Sequence, residues 1–277
     1  LLLIVACIAS SLNGPRAFAA DDDAPPAAQQ SHPVELRIVE EGWGGVRTAT
    51  VERMLQSVVR ELWPHFPGRK LPAIQVEPKG GPIVLFRRGE GGLIYMKLNT
   101  GDTYWSQYAF QFGHEFCHIL CDYDDDPHGH DWFEESLCEL ASLYVLRRMA
   151  ETWKTDPPFD HWKDYAKHLR TYADDRMKSA RLKQDQTLAQ WFAANRKALE
   201  GTAADRNRNR VIAGALLPMF EASPTSWQAV TWLNAGQPEG PQTFEQYLAD
   251  WRRHTPAKHH AFIDRIAEAL GVTIAND

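Results

Sequence analysis

The sequence predicts an α+β fold, in which a domain with a small mixed sheet is followed by an all-helical domain. Short runs of apolar, β-favouring residues, which are typical of buried strands, occur only in the first hundred residues of the mature chain. After the polar, proline-containing segment at residues 154–158, apolar residues recur at helical spacing alone. We therefore expect a first domain at residues 34–152 and a helical domain at residues 153–277.

The elements of the first domain follow from the spacing of its apolar residues. Its predicted strands are short and apolar, and they lie at residues 34–41, 73–76, 83–86 and 93–98. The last two are joined by residues 87–92, whose glycines are typical of a hairpin loop. Its predicted helices lie at about residues 46–65, 103–120 and 131–149. Asp131 is a suitable N-cap for the third of them.

The second domain is predicted to contain helices only. They lie at about residues 159–176, 186–199, 208–221, 225–233, 242–254 and 257–270.

Length and charge limit the classes of function. The chain has 277 residues, of which 44% are hydrophobic and 24% charged, so it can bury one or two full cores. Its net charge of −6 argues against nucleic acid as a partner. After residue 20 no stretch approaches the roughly 18 consecutive apolar residues of a membrane helix. We expect no transmembrane segment in the mature chain.

The first 33 residues have the composition of a targeting segment and a leader. Residues 1–12 are mainly apolar and suit the h-region of a signal peptide, and Ala17-Phe18-Ala19 offers a cleavage site. We interpret residues 1–20 as an incomplete signal peptide and residues 21–33 as a disordered leader. An alternative takes residues 4–7 as a lipoprotein box that anchors the protein at Cys7. Both interpretations predict export, to the periplasm or the extracellular space.

The predicted helix at residues 103–120 contains the HExxH pattern, as His114-Glu115-Phe116-Cys117-His118. Histidines four residues apart project from one helical face, so both imidazoles can bind one zinc ion, with Glu115 beside it. Burying these three groups in so apolar a helix costs several kcal/mol unless they are paired or bind a cation. The pattern therefore predicts a zinc site. The alternative is a core helix whose histidines and glutamate satisfy each other.

A catalytic zinc site needs a third protein ligand, because it leaves its fourth position to water. Seventeen residues after His118, the segment at residues 132–139 (WFEESLCE) places Glu135 and Glu139 four apart on one helical face. This segment resembles the W-x-x-E-G-x-A-E helix of the gluzincin peptidases, the thermolysin-like and aminopeptidase-like zinc hydrolases. By that resemblance Glu135 is the third zinc ligand, and Glu139 is the carboxylate that orients a histidine. The resemblance also implies that residues 34–152 form a zincin-like catalytic domain.

The resemblance covers residues 93–145 and departs from the family pattern at two points. Ser136 stands where the family usually has glycine, and the spacing from His118 is slightly shorter than in the best-known members. These departures leave Glu134 open as the ligand in place of Glu135.

Three other residues compete for a place on the metal. Asp124 stands where the HExxHxxGxxH pattern has its last ligand, but Cys121 replaces the glycine that would turn the chain there. His128 and His130 lie in the following loop and could also approach the metal, although loop histidines are more often solvated.

The zinc ligands and the resemblance together imply hydrolysis of a peptide bond. Zinc activates water and polarises a carbonyl, while Glu115 acts as the general base. Candidate donors to the developing oxyanion are Tyr123, His128, His130 and Arg210. The resemblance also implies that residues 93–100 form an edge strand that binds an extended peptide substrate. Two alternatives stay open: an inactive binding protein that keeps the zinc fold, and a zinc hydrolase acting on a non-peptide amide of the cell wall.

Three cysteines follow the signal peptide, and all lie in the two predicted helices that share the metal. Because export favours disulfide formation, we predict a disulfide between Cys138 and either Cys121 or Cys117.

Overall fold

The computed structural model describes residues 34–123, 129–236, 238 and 240–274. Within these residues the fold is α+β, as predicted. The signal peptide and leader predicted before Val34 lie outside the described residues, as do Cys7, Asp124 and His128. Among the described helices, none combines the length and the apolar character needed to cross a membrane.

The strands and helices agree closely with the sequence predictions. The four strands of the described chain are β1 (Leu36–Ile38), β2 (Ile74–Glu77), β3 (Ile83–Arg88) and β4 (Ile94–Lys97). Its α-helices are α1 (Thr48–Leu62), α2 (Trp105–Leu120), α3 (Asp131–Thr152), α4 (Ala166–Lys178), α5 (Leu188–Glu200), α6 (Arg206–Ala222), α7 (Phe244–His254) and α8 (His260–Leu270). The helix expected at residues 225–233 is a 3-10 helix, Pro224–Trp232, which begins at a proline.

The strands form one mixed sheet in the order β1-β2-β4-β3. β1, β2 and β4 are parallel, whereas β3 runs antiparallel to β4. The expectation of an edge strand at residues 93–100 is wrong, because β4 pairs with β2 on one side and with β3 on the other. The chain turns back at residues 87–92, so that β3 covers the outer side of β4 and becomes the edge strand itself.

The chain divides into two compact units. Of the described residues, the first unit contains those up to Glu115 together with Val145–Ala173, and the second contains the rest. The boundary predicted at residues 153–158 falls within the first unit. The division into a catalytic domain and a helical domain stays a prediction.

In the first unit, three contacts fix the helix that carries the HExxH motif. The Gln111 side chain makes two hydrogen bonds to the backbone of Asn99, accepting from its N–H at 2.7 Å and donating to its carbonyl at 3.1 Å. The Ser106 hydroxyl lies 3.2 Å from that of Tyr165, which follows α3 in sequence. Since Gln111 lies one turn before His114, the end of β4 sets the position of the motif.

In the second unit, an aromatic cluster holds the beginning of α3. The ring of Phe244 on α7 lies 4.7 Å from Trp132, 5.2 Å from Phe133 and 5.6 Å from Phe192, measured between ring centroids. Thr243 begins α7 with a capping box, which fixes the helix that carries Phe244. The cluster therefore positions the first turn of α3, which contains Glu134 and is followed by Glu135.

The stability of the second unit should depend on pH through Arg196 and Glu245. Two parallel hydrogen bonds, of 2.5 and 2.9 Å, join the Arg196 guanidinium to the Glu245 carboxylate. These bonds lower the pKa of Glu245 from 4.5 to about 2. Because the pKa is lower in the folded state, the pair stabilises fully above pH 4.5 and loses its effect as the pH falls toward 2.

We expect Glu245→Gln to lower the free energy of unfolding near neutral pH by about 1 kcal/mol or less, since the pair is about one-third exposed. The difference from wild type should shrink below pH 4.5, as measured by denaturation at several pH values. Glu268→Gln, on an exposed position of α8, is the control and should change little. A difference that stays constant with pH would contradict this role of the ion pair.

Candidate metal centre

The HExxH motif lies in the last two turns of α2. His114 and Glu115 are buried, with 6% and 3% of their surface exposed. The helix ends at Leu120, and Asp122 then adopts a left-handed backbone conformation with φ of 58°. Aspartate tolerates this conformation better than most residues, so the chain leaves the helix without the glycine that seemed necessary at Cys121. The chain therefore turns at Asp122, four residues after His118, the second histidine of the motif.

His118 is oriented by a carboxylate on α3. Its Nδ1 lies 2.6 Å from Oε1 of Glu134, a distance at which Nδ1–H donates to an ionised carboxylate. This hydrogen bond leaves the lone pair on Nε2, and Nε2 lies 3.6 Å from Oε1 of Glu135. A carboxylate on the far ring nitrogen is the usual partner of a metal-binding histidine. The geometry therefore prepares Nε2 of His118 to bind a cation beside Glu135.

Glu134 is itself held in place by a buried amide. Asn234, which follows the 3-10 helix, donates from Nδ2 to Oε2 of Glu134 at 2.6 Å. The same amide nitrogen lies 3.3 Å from the carbonyl of Cys121, and the Tyr247 hydroxyl donates to Oδ1 at 3.4 Å. Both carboxylate oxygens of Glu134 thus have partners, and the side chain of His118 has a fixed direction.

Glu139, the residue expected to orient a histidine, contacts an arginine. Its Oε1 accepts a hydrogen bond from Nε of Arg210 at 2.6 Å, and both side chains are buried. Arg210, one of the candidate oxyanion donors, is therefore engaged in a buried ion pair. The sequence indicates Glu134 only as a rival ligand and gives no sign of its contact with His118.

A third helix position also approaches the two histidines. His114, His118 and Cys138 each offer one ligand atom, and these atoms lie within 4.8 Å of one another. Cys138 lies on α3, three residues after Glu135. From the sequence Cys138 is predicted only as a partner in a disulfide, and not as a metal ligand. Two imidazoles and a thiol are donors that favour a borderline or soft ion such as zinc.

Comparisons of the chain with protein-family models, with curated proteins and with solved structures give no match. The chemistry of the site must therefore be judged from its own donors. In a tetrahedral zinc site with ligand distances of ~2.0–2.1 Å, two nitrogen or oxygen donors stand about 3.3 Å apart. The 3.6 Å between Nε2 of His118 and Oε1 of Glu135 is close to that value. The donor set fits a zinc ion.

Cys117, Cys121 and Cys138 are free thiols, so the predicted disulfide is wrong. The Sγ atoms of Cys117 and Cys121 are 4.0 Å apart, whereas a disulfide needs about 2.05 Å. Burial raises the pKa of Cys121 and Cys138 well above the usual value of a thiol. Both are therefore protonated at neutral pH, a state in which thiols react slowly.

The remaining candidate oxyanion donors differ in their surroundings. The ring of Tyr123 lies edge-on to that of His118, with centroids 6.4 Å apart. His130 is buried against Phe244 and Tyr247, and its Nε2 lies 3.0 Å from the backbone carbonyl of Gln242. Of the described candidates, Tyr123 is therefore the one whose ring adjoins a histidine of the motif.

We expect Glu134→Ala to weaken zinc affinity about 10 to 100-fold, because His118 loses the carboxylate that fixes its ring. Glu139→Ala is the matched control on the same helix and should keep wild-type affinity, although it leaves the buried Arg210 without its partner. Affinity is measured by competition with a chromophoric chelator, after circular dichroism has shown that both variants are folded. If both substitutions weakened zinc affinity equally, the assignment of Glu134 rather than Glu139 as the residue that orients His118 would be wrong.

Proposed function

We propose that the chain is an exported zinc-dependent hydrolase of the gluzincin type that cleaves peptide bonds. The observation that carries this proposal is the position of His118 between two carboxylates, with Glu134 on Nδ1 and Glu135 facing Nε2. One carboxylate orients the ring and the other stands where a shared cation would join it. The HExxH spacing adds a second buried imidazole, His114, on the same helical face.

Glu135 is the better candidate than Cys138 for the third ligand. A buried carboxylate needs a cation or hydrogen bonds to offset the loss of hydration, whereas a neutral thiol is buried at little cost. Glu135 has 9% of its surface exposed and lies beside Nε2 of His118. Cys138 already has partners in two other thiols, Cys117 and Cys121. We therefore assign the metal to His114, His118 and Glu135.

Zinc bound to these residues would polarise a carbonyl and make water a nucleophile at neutral pH. Glu115 then has the role of general base, because it follows His114 directly in the HExxH motif and is buried with it. It takes a proton from the attacking water and later delivers it to the leaving amine. The ring of Tyr123, next to His118, is the candidate donor to the oxyanion.

An exposed sheet edge supports a peptide as the substrate. β3 is an edge strand that pairs on one side with β4, and Phe86 in its middle has 51% of its surface exposed. An extended peptide could add to such an edge through backbone hydrogen bonds. β3 thus takes the role that the resemblance assigned to residues 93–100.

The general base is tested by Glu115→Gln, which keeps the size of the side chain and removes its ability to accept a proton. We expect hydrolysis of an unbiased peptide library to fall by at least about 100-fold, with zinc content unchanged near that of wild type. Glu268→Gln, the same exchange at an exposed position of α8, is the control and should keep wild-type activity. Wild-type protein that binds zinc and cleaves only cell-wall material, or nothing, would overturn the assignment of peptides as substrate.

The third ligand is tested by three alanine substitutions. Glu135→Ala should be purified largely without zinc, because a charged ligand is lost. Cys138→Ala should retain zinc, and Asp124→Ala should behave like wild type. Zinc content is measured by elemental analysis of the folded proteins. Full occupancy in Glu135→Ala with loss in Cys138→Ala would assign the third ligand to the thiol, and loss in Asp124→Ala alone would assign it to the loop.

A further inference from the structure

The C-terminal ends of α1 and α3 meet inside the first unit, and an acidic side chain is buried there. Nε1 of Trp153, the residue after α3, donates to the hydroxyl of Ser57 at 2.7 Å, and both residues are buried. Arg60 donates two hydrogen bonds to Asp156, of 2.7 Å to the carboxylate and 2.8 Å to the backbone carbonyl. Glu61 follows Arg60 on α1, and only 7% of its surface is exposed. Its carboxyl group is therefore held away from water.

The contacts of the Glu61 carboxyl group suit a neutral acid better than an ion. Oε1 is buried, and within the described residues it has no hydrogen-bond partner. Oε2 lies 3.7 Å from Nε of Arg148 on α3, which is too far for a hydrogen bond, and the Arg148 side chain is half exposed. An ion pair with so exposed a partner stabilises little, whereas a buried carboxylate is costly unless it is paired and hydrogen-bonded. Arg148 therefore does not offset the cost of ionising Glu61.

The surroundings of Glu61 change its pKa in both directions, with a net rise. Burial has the largest effect and raises the pKa above the usual 4.5. A hydrogen bond with Thr152 and two nearby cations lower the pKa, and a nearby carboxylate raises it. His65, one turn after Glu61, adds little positive charge, because burial and a nearby cation lower its own pKa. These charged neighbours are Arg60, Arg148 and Asp156.

We propose that Glu61 is a proton-sensitive contact between α1 and α3, which is neutral when the first unit is tightly packed and loosens that packing when it ionises. Because the pKa is higher in the folded state, folding takes up a proton above pH 4.5. Glu61 therefore costs no stability below pH 4.5, and its cost grows as the pH rises through the pKa of the folded state. The ion pair of Arg196 and Glu245 has the opposite dependence, so the two units respond to pH in opposite directions. This contact does not depend on the proposed hydrolase activity.

The test compares Glu61→Gln with wild type in the full chain at a series of pH values. Glutamine keeps the size of the side chain and stays neutral at every pH. We expect the two proteins to melt at the same temperature at pH 4 and below, and the variant to melt about 2–4 °C higher at pH 8. Hydrogen exchange measured by mass spectrometry locates the effect. At pH 8 the amides of α1 and of residues 145–152 should exchange more slowly in the variant, whereas those of α7 should not differ.

Glu52→Gln is the matched control, because it is the same exchange at a partly exposed position of α1. It should melt like wild type at each pH. Infrared absorption follows the protonated carboxyl group directly and needs no stability measurement. We expect wild type to retain a protonated carboxyl band at pH values where exposed glutamates are ionised, and Glu61→Gln to lack this band.

Three results would overturn the proposal. The first is a Glu61→Gln variant that is less stable than wild type above pH 4.5, which would show that ionised Glu61 and Arg148 form a stabilising pair. The second is a difference in stability that does not change with pH. The third is an infrared titration of wild type in which every carboxyl group ionises in the range of exposed ones, a result that does not depend on the folding of any variant.

Discussion

The arrangement of the candidate site depends on the hydrogen bond between His118 and Glu134. It joins the end of α2 to the beginning of α3 at 2.6 Å, and Asn234 ties the same carboxylate to the segment after the 3-10 helix. Buried charge-assisted bonds are costly to leave unmade, so each of these segments must keep its place for the others to be satisfied. The aromatic cluster around Phe244 supplies apolar packing that offsets part of the free-energy cost of burying these polar groups.

Local patterns in the sequence predicted the elements well because burial repeats with the period of each element. α2 and α3 are buried along most of their lengths, and the recurrence of apolar residues at helical spacing predicts where they lie. Local patterns do not predict which strands are neighbours in the sheet, because strand pairing joins residues far apart in the chain. The pattern of β4 shows that alternate residues are buried, but not that β3 turns back to cover its outer side.

In the candidate site, too, some features follow from local patterns and others depend on tertiary packing. His114, Glu115 and His118 follow from helical spacing alone, because one helix carries all three. The roles of the carboxylates on α3 depend on which face of that helix meets α2, and this rotation is set by tertiary packing. The sequence predicts Glu139 and not Glu134 as the carboxylate that orients a histidine, whereas the structure has Glu134 in that position. Their partners, Asn234 and Arg210, lie 100 and 71 residues further along the chain, beyond the reach of any local pattern.

The pairing of donors on α2 has a consequence for the choice of the third ligand of the proposed metal site. Histidines occupy positions 114 and 118, and cysteines occupy positions 117 and 121, so two i, i+4 pairs interleave on one helix. Cys138 on α3 approaches both pairs. The Cys138 side chain interacts with the thiols of Cys117 and Cys121, whereas Glu135 is a donor from α3 that lies next to Nε2 of His118. In the proposed site a carboxylate therefore joins the two histidines, which is a ligand set that hydrolytic zinc chemistry uses.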